Sequence, residues 1–203
     1  MTMRLLILIT ILLPLSLLAD PSSWTPLFNG KDLTGWHTMP GGKWEIVNGV
    51  ITGTSKKEEK RHGLLVSDKT YNNIILRAKF KVTSGDSGLY FRALKTNTQV
   101  AIKCFQAEVD KSPKVGGLYE TSGRSWVKNP DPQRIAEIVK HGDWNQITVS
   151  AIGDDITVSL NGLTVTELLA DTQCQKEGRI ALQLHGGEDM HVEFKDLALL
   201  EIK

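Results

Sequence analysis

The segment Cys104-Phe105-Gln106-Ala107-Glu108-Val109-Asp110 alternates apolar and polar residues from Phe105 onward. Alternate residues of a β-strand share a face. Phe105, Ala107 and Val109 therefore form an apolar face suited to a core. Gln106, Glu108 and Asp110 form the opposite face, with one amide and two carboxylates. Such a face is either a solvated surface or a site, and the rest of the chain has to decide between them.

The surrounding sequence reads as β. Asn48-Gly49 separates Trp44–Val47 from Val50–Gly53, and Asn161-Gly162 separates Ile156–Leu160 from Leu163–Val165. Asn-Gly between two β-prone runs predicts a type I′ hairpin, because both turn positions need positive φ. Further strands are expected over Ile74–Val82, Ser87–Ala93, Ala101–Asp110, Trp144–Ile152, Arg179–His185 and His191–Ile202. Pro132–Lys140 has room for one or two helical turns. Short strands at this spacing, punctuated by turns, predict an all-β sandwich of two antiparallel sheets.

The first residues, MTMRLLILITILLPLSLLAD, carry one positive charge at Arg4 and then an uncharged run from Leu5 to Leu18. The run is shorter than the roughly 20 residues needed to span a bilayer and contains Pro14. It reads as a signal peptide over residues 1–19, with Ala19 before the cleavage point. A single domain over residues 20–203 and a periplasmic or secreted location follow. Without Arg4 the chain has 23 basic and 23 acidic residues. That balance gives no electrostatic reason to expect nucleic acid or a membrane surface as partner. Cys104 and Cys174 are too few for a disulfide framework; pairing and two free thiols both stay open.

Two other strands repeat the pattern of the opening segment. Tyr90 and Arg92 oppose Leu89 and Phe91; Gln183 and His185 oppose Ile180, Leu182 and Leu184. These polar faces carry the groups that grip hydroxyls and move protons. If the three strands share a sheet, Glu108 and Asp110 lie about 6.5–7 Å apart at Cα, close enough to push their pKa values apart. Arg92 would stabilise an anion and His185 carry protons; the alternative is a structural ion-pair network. The segment Gly116–Trp126 adds Tyr119, Glu120, Arg124 and Trp126 on a glycine-rich stretch and reads as a binding loop. The mixed-sign run Lys56–His62 reads as a solvated loop, the alternative being a loop that reaches over a binding face.

The segments TPLFNGKDLTGWH, KWEIVNGVITGT, GLLVSDKTYNNIILRAKF, GDSGLYFRA, FQAEVD, GGLYETSGR, WNQITVSAIGDDITVSLNG and GRIALQLHGGEDMHVEFKDLALLEI occur in that order. Together they resemble the 3-keto-disaccharide hydrolase domain family of exported bacterial proteins, from about Trp24 to the C-terminus. The resemblance implies a concanavalin A-like jelly roll and cleavage of glycosides whose sugar carries a ketone at C3. Asp86-Ser87-Gly88 replaces the family's frequent Asn-Ser-Gly, and Cys104-Phe105 stands where many members have Gly-Tyr. Glu108-Val109-Asp110 also resembles the start of the Glu-x-Asp-x-x-Glu motif of retaining β-glucanases. The last glutamate would fall on Pro113 or, in the longer variant, Lys114, so that mechanism is set aside.

The implied chemistry is proton abstraction next to the ketone, loss of the C1 substituent and addition of water. It needs a base, an acid and an oxyanion donor. Glu108, Asp110 and His185 are the expected proton carriers and Arg92 the oxyanion donor. Tyr90, Gln106, Tyr119, Glu120, Arg124, Trp126 and Gln183 are expected to hold the sugar. No cofactor is expected; a divalent metal on Glu108, Asp110 and His185 is the one inorganic alternative their donor atoms permit. The expected partner is a small glycoside or oligosaccharide, and the competing reading is a lectin-like module without catalysis.

Overall fold

The computed structural model describes residues 24–96 and 102–203. The expected signal peptide over residues 1–19 lies outside the described residues. No helix among them is long and apolar enough to cross a membrane.

In chain order the strands are β1 (Thr25–Pro26), β2 (Trp36–Met39), β3 (Lys43–Val47), β4 (Val50–Ser55), β5 (Gly63–Tyr71), β6 (Ile74–Ser84), β7 (Ser87–Lys95) and β8 (Ile102–Val109). Then come β9 (Leu118–Thr121), β10 (Ser125–Lys128), helix α1 (Pro132–Ile138), β11 (Asn145–Ile152), β12 (Asp155–Leu160), β13 (Leu163–Leu168), β14 (Gly178–Leu184) and β15 (Met190–Glu201). One antiparallel sheet runs β13-β12-β11-β6-β15-β4-β3, with β1 on β15; the other runs β10-β9-β8-β7-β14-β5-β2. They form the expected two-sheet jelly-roll sandwich. Both Asn-Gly turns have positive φ at each position, 52° and 75° at Asn48-Gly49 and 51° and 87° at Asn161-Gly162.

The core lies between the sheets. Leu76, Ala78, Phe80 and Val82 of β6 meet Leu89, Phe91, Phe105 and Ala107 of β7 and β8. Strand β5 was not anticipated because both its faces are apolar. Leu65 joins this core, while Leu64 and Val66 join a second cluster with Tyr90, Cys104 and Ala181 on the outer face of the second sheet. Period-two alternation is invisible in such a strand. Cys104 and Cys174 are both free and buried.

The three strands singled out in the sequence do share a sheet, with β7 between β8 and β14. Strand β7 breaks its alternation after Phe91. Its register with β8 shifts between Phe91 and Leu94, and Arg92 takes φ of 52°. A bulge of this kind re-aims a side chain. Arg92 is turned away from the polar face, and this decides the composition of the site.

Candidate functional site

A cavity of about 290 Å³ opens on the outer face of the second sheet. Its floor is Tyr90, Gln106, Glu108 and Asp86; Gln183, His185 and His62 line one side, and Tyr119, Trp126, Thr121 and Ser122 the other. Gly88 makes the floor possible. It pairs with Glu108, and a Cβ there would stand 2.5 Å from Gln106 Cγ. The Gln106 side chain lies over the glycine, and its Nε2 donates to Glu108 Oε2 at 2.8 Å.

Glu108 is 2% exposed, although it sits on the polar face of its strand. Its backbone is fastened on the side away from β7: Glu108 N–H donates to Gly117 O and Gly116 N–H donates to Glu108 O, both at 2.9 Å. Burial, then a hydrogen bond and the charge of Asp86, then the charge of Asp110, push its pKa far above the carboxylate range; the Gln106 bond opposes this. Burial and the neighbouring Asp86 carboxyl thus favour the protonated form of Glu108 at neutral pH. The register explains the partner. Ser87 faces Val109, so Asp86 arrives where β8 ends.

Tyr90 is fully buried. Its hydroxyl accepts from Thr121 Oγ1 at 3.4 Å, and burial raises its pKa well above the ordinary value. It stays a neutral donor. His185 Nδ1 lies 3.3 Å from Glu188 Oε1. His62 meets His185 edge to face, with ring centroids 4.4 Å apart. Its pKa is lowered first by burial and then by His185, against an opposing pull from Asp86. Tyr119 and Trp126 make a second perpendicular ring pair, 5.3 Å between centroids, on the far wall.

Seven of the expected site residues come together here: Tyr90, Gln106, Glu108, Tyr119, Trp126, Gln183 and His185. Four do not. Arg92, 1% exposed, runs beside Cys174 in the main core, where its Nη1 donates to Gly153 O at 3.0 Å. It cannot serve as the oxyanion donor of this cavity. Asp110 lies beyond the end of β8 and accepts from Ser112, outside the cavity. Glu120 and Arg124 pair with each other, and Arg124 Nη1 and Nη2 reach Asp171 at 3.1 and 2.6 Å. Strand alternation forces this: Tyr119 faces the cavity, so Glu120 points inward, opposite Phe105. The expected binding loop is a hairpin, β9–β10, with only part of its residues on the cavity.

Asp86 and His62 were missed. Asp86 sits in a Ser-Gly-Asp turn that reads as punctuation, and its only signal was its place opposite the end of the acidic strand. His62 ends the run taken as solvated, and no local pattern ties it to His185. Among the described residues no three His, Cys, Asp or Glu side chains are grouped so as to hold a metal ion. Glu108, Asp110 and His185 thus do not assemble into the ligand set considered from sequence.

Solved structures with the same architecture include a candidate glycosyl hydrolase from Parabacteroides distasonis ATCC 8503, 18% identical, covering 90% of this chain and 95% of that one with a TM-score of 0.67. A Bacillus subtilis protein with a galectin-like fold is 14% identical, covering 88% and 94% with a TM-score of 0.66. The carbohydrate-binding module CBM66 of Bacillus subtilis is 16% identical, covering 82% and 96% with a TM-score of 0.62. At these identities the likeness is one of fold. No curated protein matches the chain by sequence. The 3-keto-alpha-glucoside-1,2-lyase-like domain matches residues 23–200, nearly the whole described chain, and the chain belongs to that family.

Proposed function

We propose that this chain is an exported enzyme, periplasmic or secreted, that cleaves small 3-keto-glycosides by elimination across C1 and C2. The observation that carries the reading is the buried, protonated Glu108 held against Asp86 in a cavity near the lower end of the size range for ligand sites. A ketone at C3 acidifies the hydrogen on C2. His185, which lines the cavity, removes that proton. Charge develops on the C3 oxygen. Thr121 already donates to the Tyr90 hydroxyl, which leaves the phenolic hydrogen for that oxygen. The C1–O bond then breaks as Glu108 gives its proton to the leaving oxygen. The products are an alcohol and an unsaturated 3-keto sugar, and addition of water across its double bond completes the hydrolysis. Tyr119 and Trp126 offer ring faces to the sugar.

A lectin-like module could use the same walls, but a neutral glycan has no need of a buried carboxyl set against a second one. Incubation of the purified protein with 3-keto-trehalose, 3-keto-glucosides and their unoxidised parents, with and without chelator, tests the proposal. Release from the ketones alone, with solvent deuterium entering C2, is the expected result. Glycan binding without release from any of them would identify a binding module instead.

A further inference from the structure

His62 belongs to no strand, yet the fold holds it closely. Its loop is fastened backbone to backbone at the end of β14. Gly187 N–H donates to Glu59 O at 2.6 Å, and a Cβ on Gly186 would stand 2.3 Å from Lys60 O. A Cβ on Gly63, the next residue, would fall 1.4 Å from Gly41 O. No side chain fits at either glycine, so the loop cannot withdraw without breaking the packing that delivers the ring.

The ring touches two groups. Its edge-to-face contact with His185, at 82° between planes, fixes the neighbouring imidazole. Its Nδ1 lies 3.2 Å from Gln183 Nε2. Burial favours the neutral form, which keeps an acceptor nitrogen there. With Nε2 engaged, the Gln183 amide is held with Oε1, which has no partner among the described residues, as the acceptor for a sugar hydroxyl.

We propose that His62 is a positioning residue, orienting the His185 ring by edge contact and the Gln183 amide by a hydrogen bond. One side chain thus orders both the proton acceptor and a substrate-binding group. This rests on the reading of His185 as the base.

The two contacts separate by substitution. His62→Phe keeps a ring edge against His185 and removes the acceptor for Gln183. His62→Asn keeps an acceptor near the Nδ1 position and removes the ring. With 3-keto-trehalose as probe, H62F should raise KM about tenfold with kcat within about threefold. H62N should lower kcat about tenfold or more with KM within about threefold. Melting temperatures of both variants check that each is folded. If the two variants change KM and kcat alike, or change neither, the proposal is overturned while wild-type turnover leaves the functional reading standing. A wild-type protein that turns over no 3-keto-glycoside overturns that reading, and the role of His62 with it.

Discussion

Glu108 takes as its carboxyl partner Asp86, the residue that precedes β7, rather than Asp110 two places along its own chain segment. One carboxyl comes from β8 and the other from the β6–β7 turn, and they meet at a cavity that burial has made costly for a second negative charge. Several consequences of this pairing and of its surroundings are open to measurement.

Glu108→Gln should abolish turnover, by about a thousandfold or more, as expected for loss of a general acid. The same change should stabilise the fold near neutral pH. The folded pKa of Glu108 is raised above the unfolded value, so the folded state binds the extra proton between the two. Stability from this group therefore falls as pH rises above the ordinary value of 4.5, and the loss continues up to the folded pKa of about 10. Glutamine removes that dependence. Thermal melts of wild type and E108Q across pH 5 to 9 should diverge toward alkaline pH, by about 2–4 °C per kcal/mol. Parallel curves would contradict the raised pKa of Glu108.

Asp86→Asn should move the alkaline limb of the pH–rate profile to lower pH. It removes the hydrogen bond and charge that, after burial, raise Glu108 most. The acid form is then lost earlier on the way up. An unchanged limb would assign that limb to another group.

Arg92→Met should leave kcat/KM within about threefold of wild type. The guanidinium is buried beside Cys174, and among the described residues its Nε and Nη2 have no hydrogen-bond partner and no carboxylate pairs with it. Replacing a poorly compensated buried charge by an apolar chain of similar length is often neutral or stabilising. A loss of activity by orders of magnitude, with the fold intact, would return Arg92 to the site.

Arg124→Ala should act on stability rather than turnover. It strands the carboxylates of Glu120 and Asp171, and with the Arg124 side chain 32% exposed the cost is about 1–3 kcal/mol. Arg124 holds the Asp171 pKa below the usual carboxylate range, and that contribution is lost as pH falls through the folded pKa. Chemical denaturation at pH 7 and pH 3 should show the difference between variant and wild type shrinking with acidity. At a temperature where R124A is folded, KM should match wild type.

Trp126→Ala tests the far wall. Trp126 packs perpendicular to Tyr119 and lines the cavity, so its loss should raise KM about tenfold with little effect on kcat.

The parts of this arrangement that the sequence displayed are those governed by period two. Alternation correctly sent Gln106 and Glu108 to one side and Phe105 and Ala107 to the other, and the Asn-Gly pairs correctly marked two hairpins. It failed where the period breaks. A bulge with positive φ swung Arg92 inward, and β8 stopped at Val109, one residue before Asp110. Tyr119 and Glu120 are neighbours and could not both face the sugar, so that part of the site was decidable by alternation alone. His62 was not. It lies 121 residues from Gln183, and only the folded chain brings them together.

The fastening of the His62 loop separates what must be kept from what can vary. The backbone of Glu59, Lys60 and the flanking glycines holds the loop, whereas Lys56, Lys57 and Glu58 are not part of that clasp. Those three positions form the tip of the loop, outside the backbone clasp of Glu59 with Gly187. New side chains placed there could be screened for aglycone preference while the imidazole beneath them stays where it is.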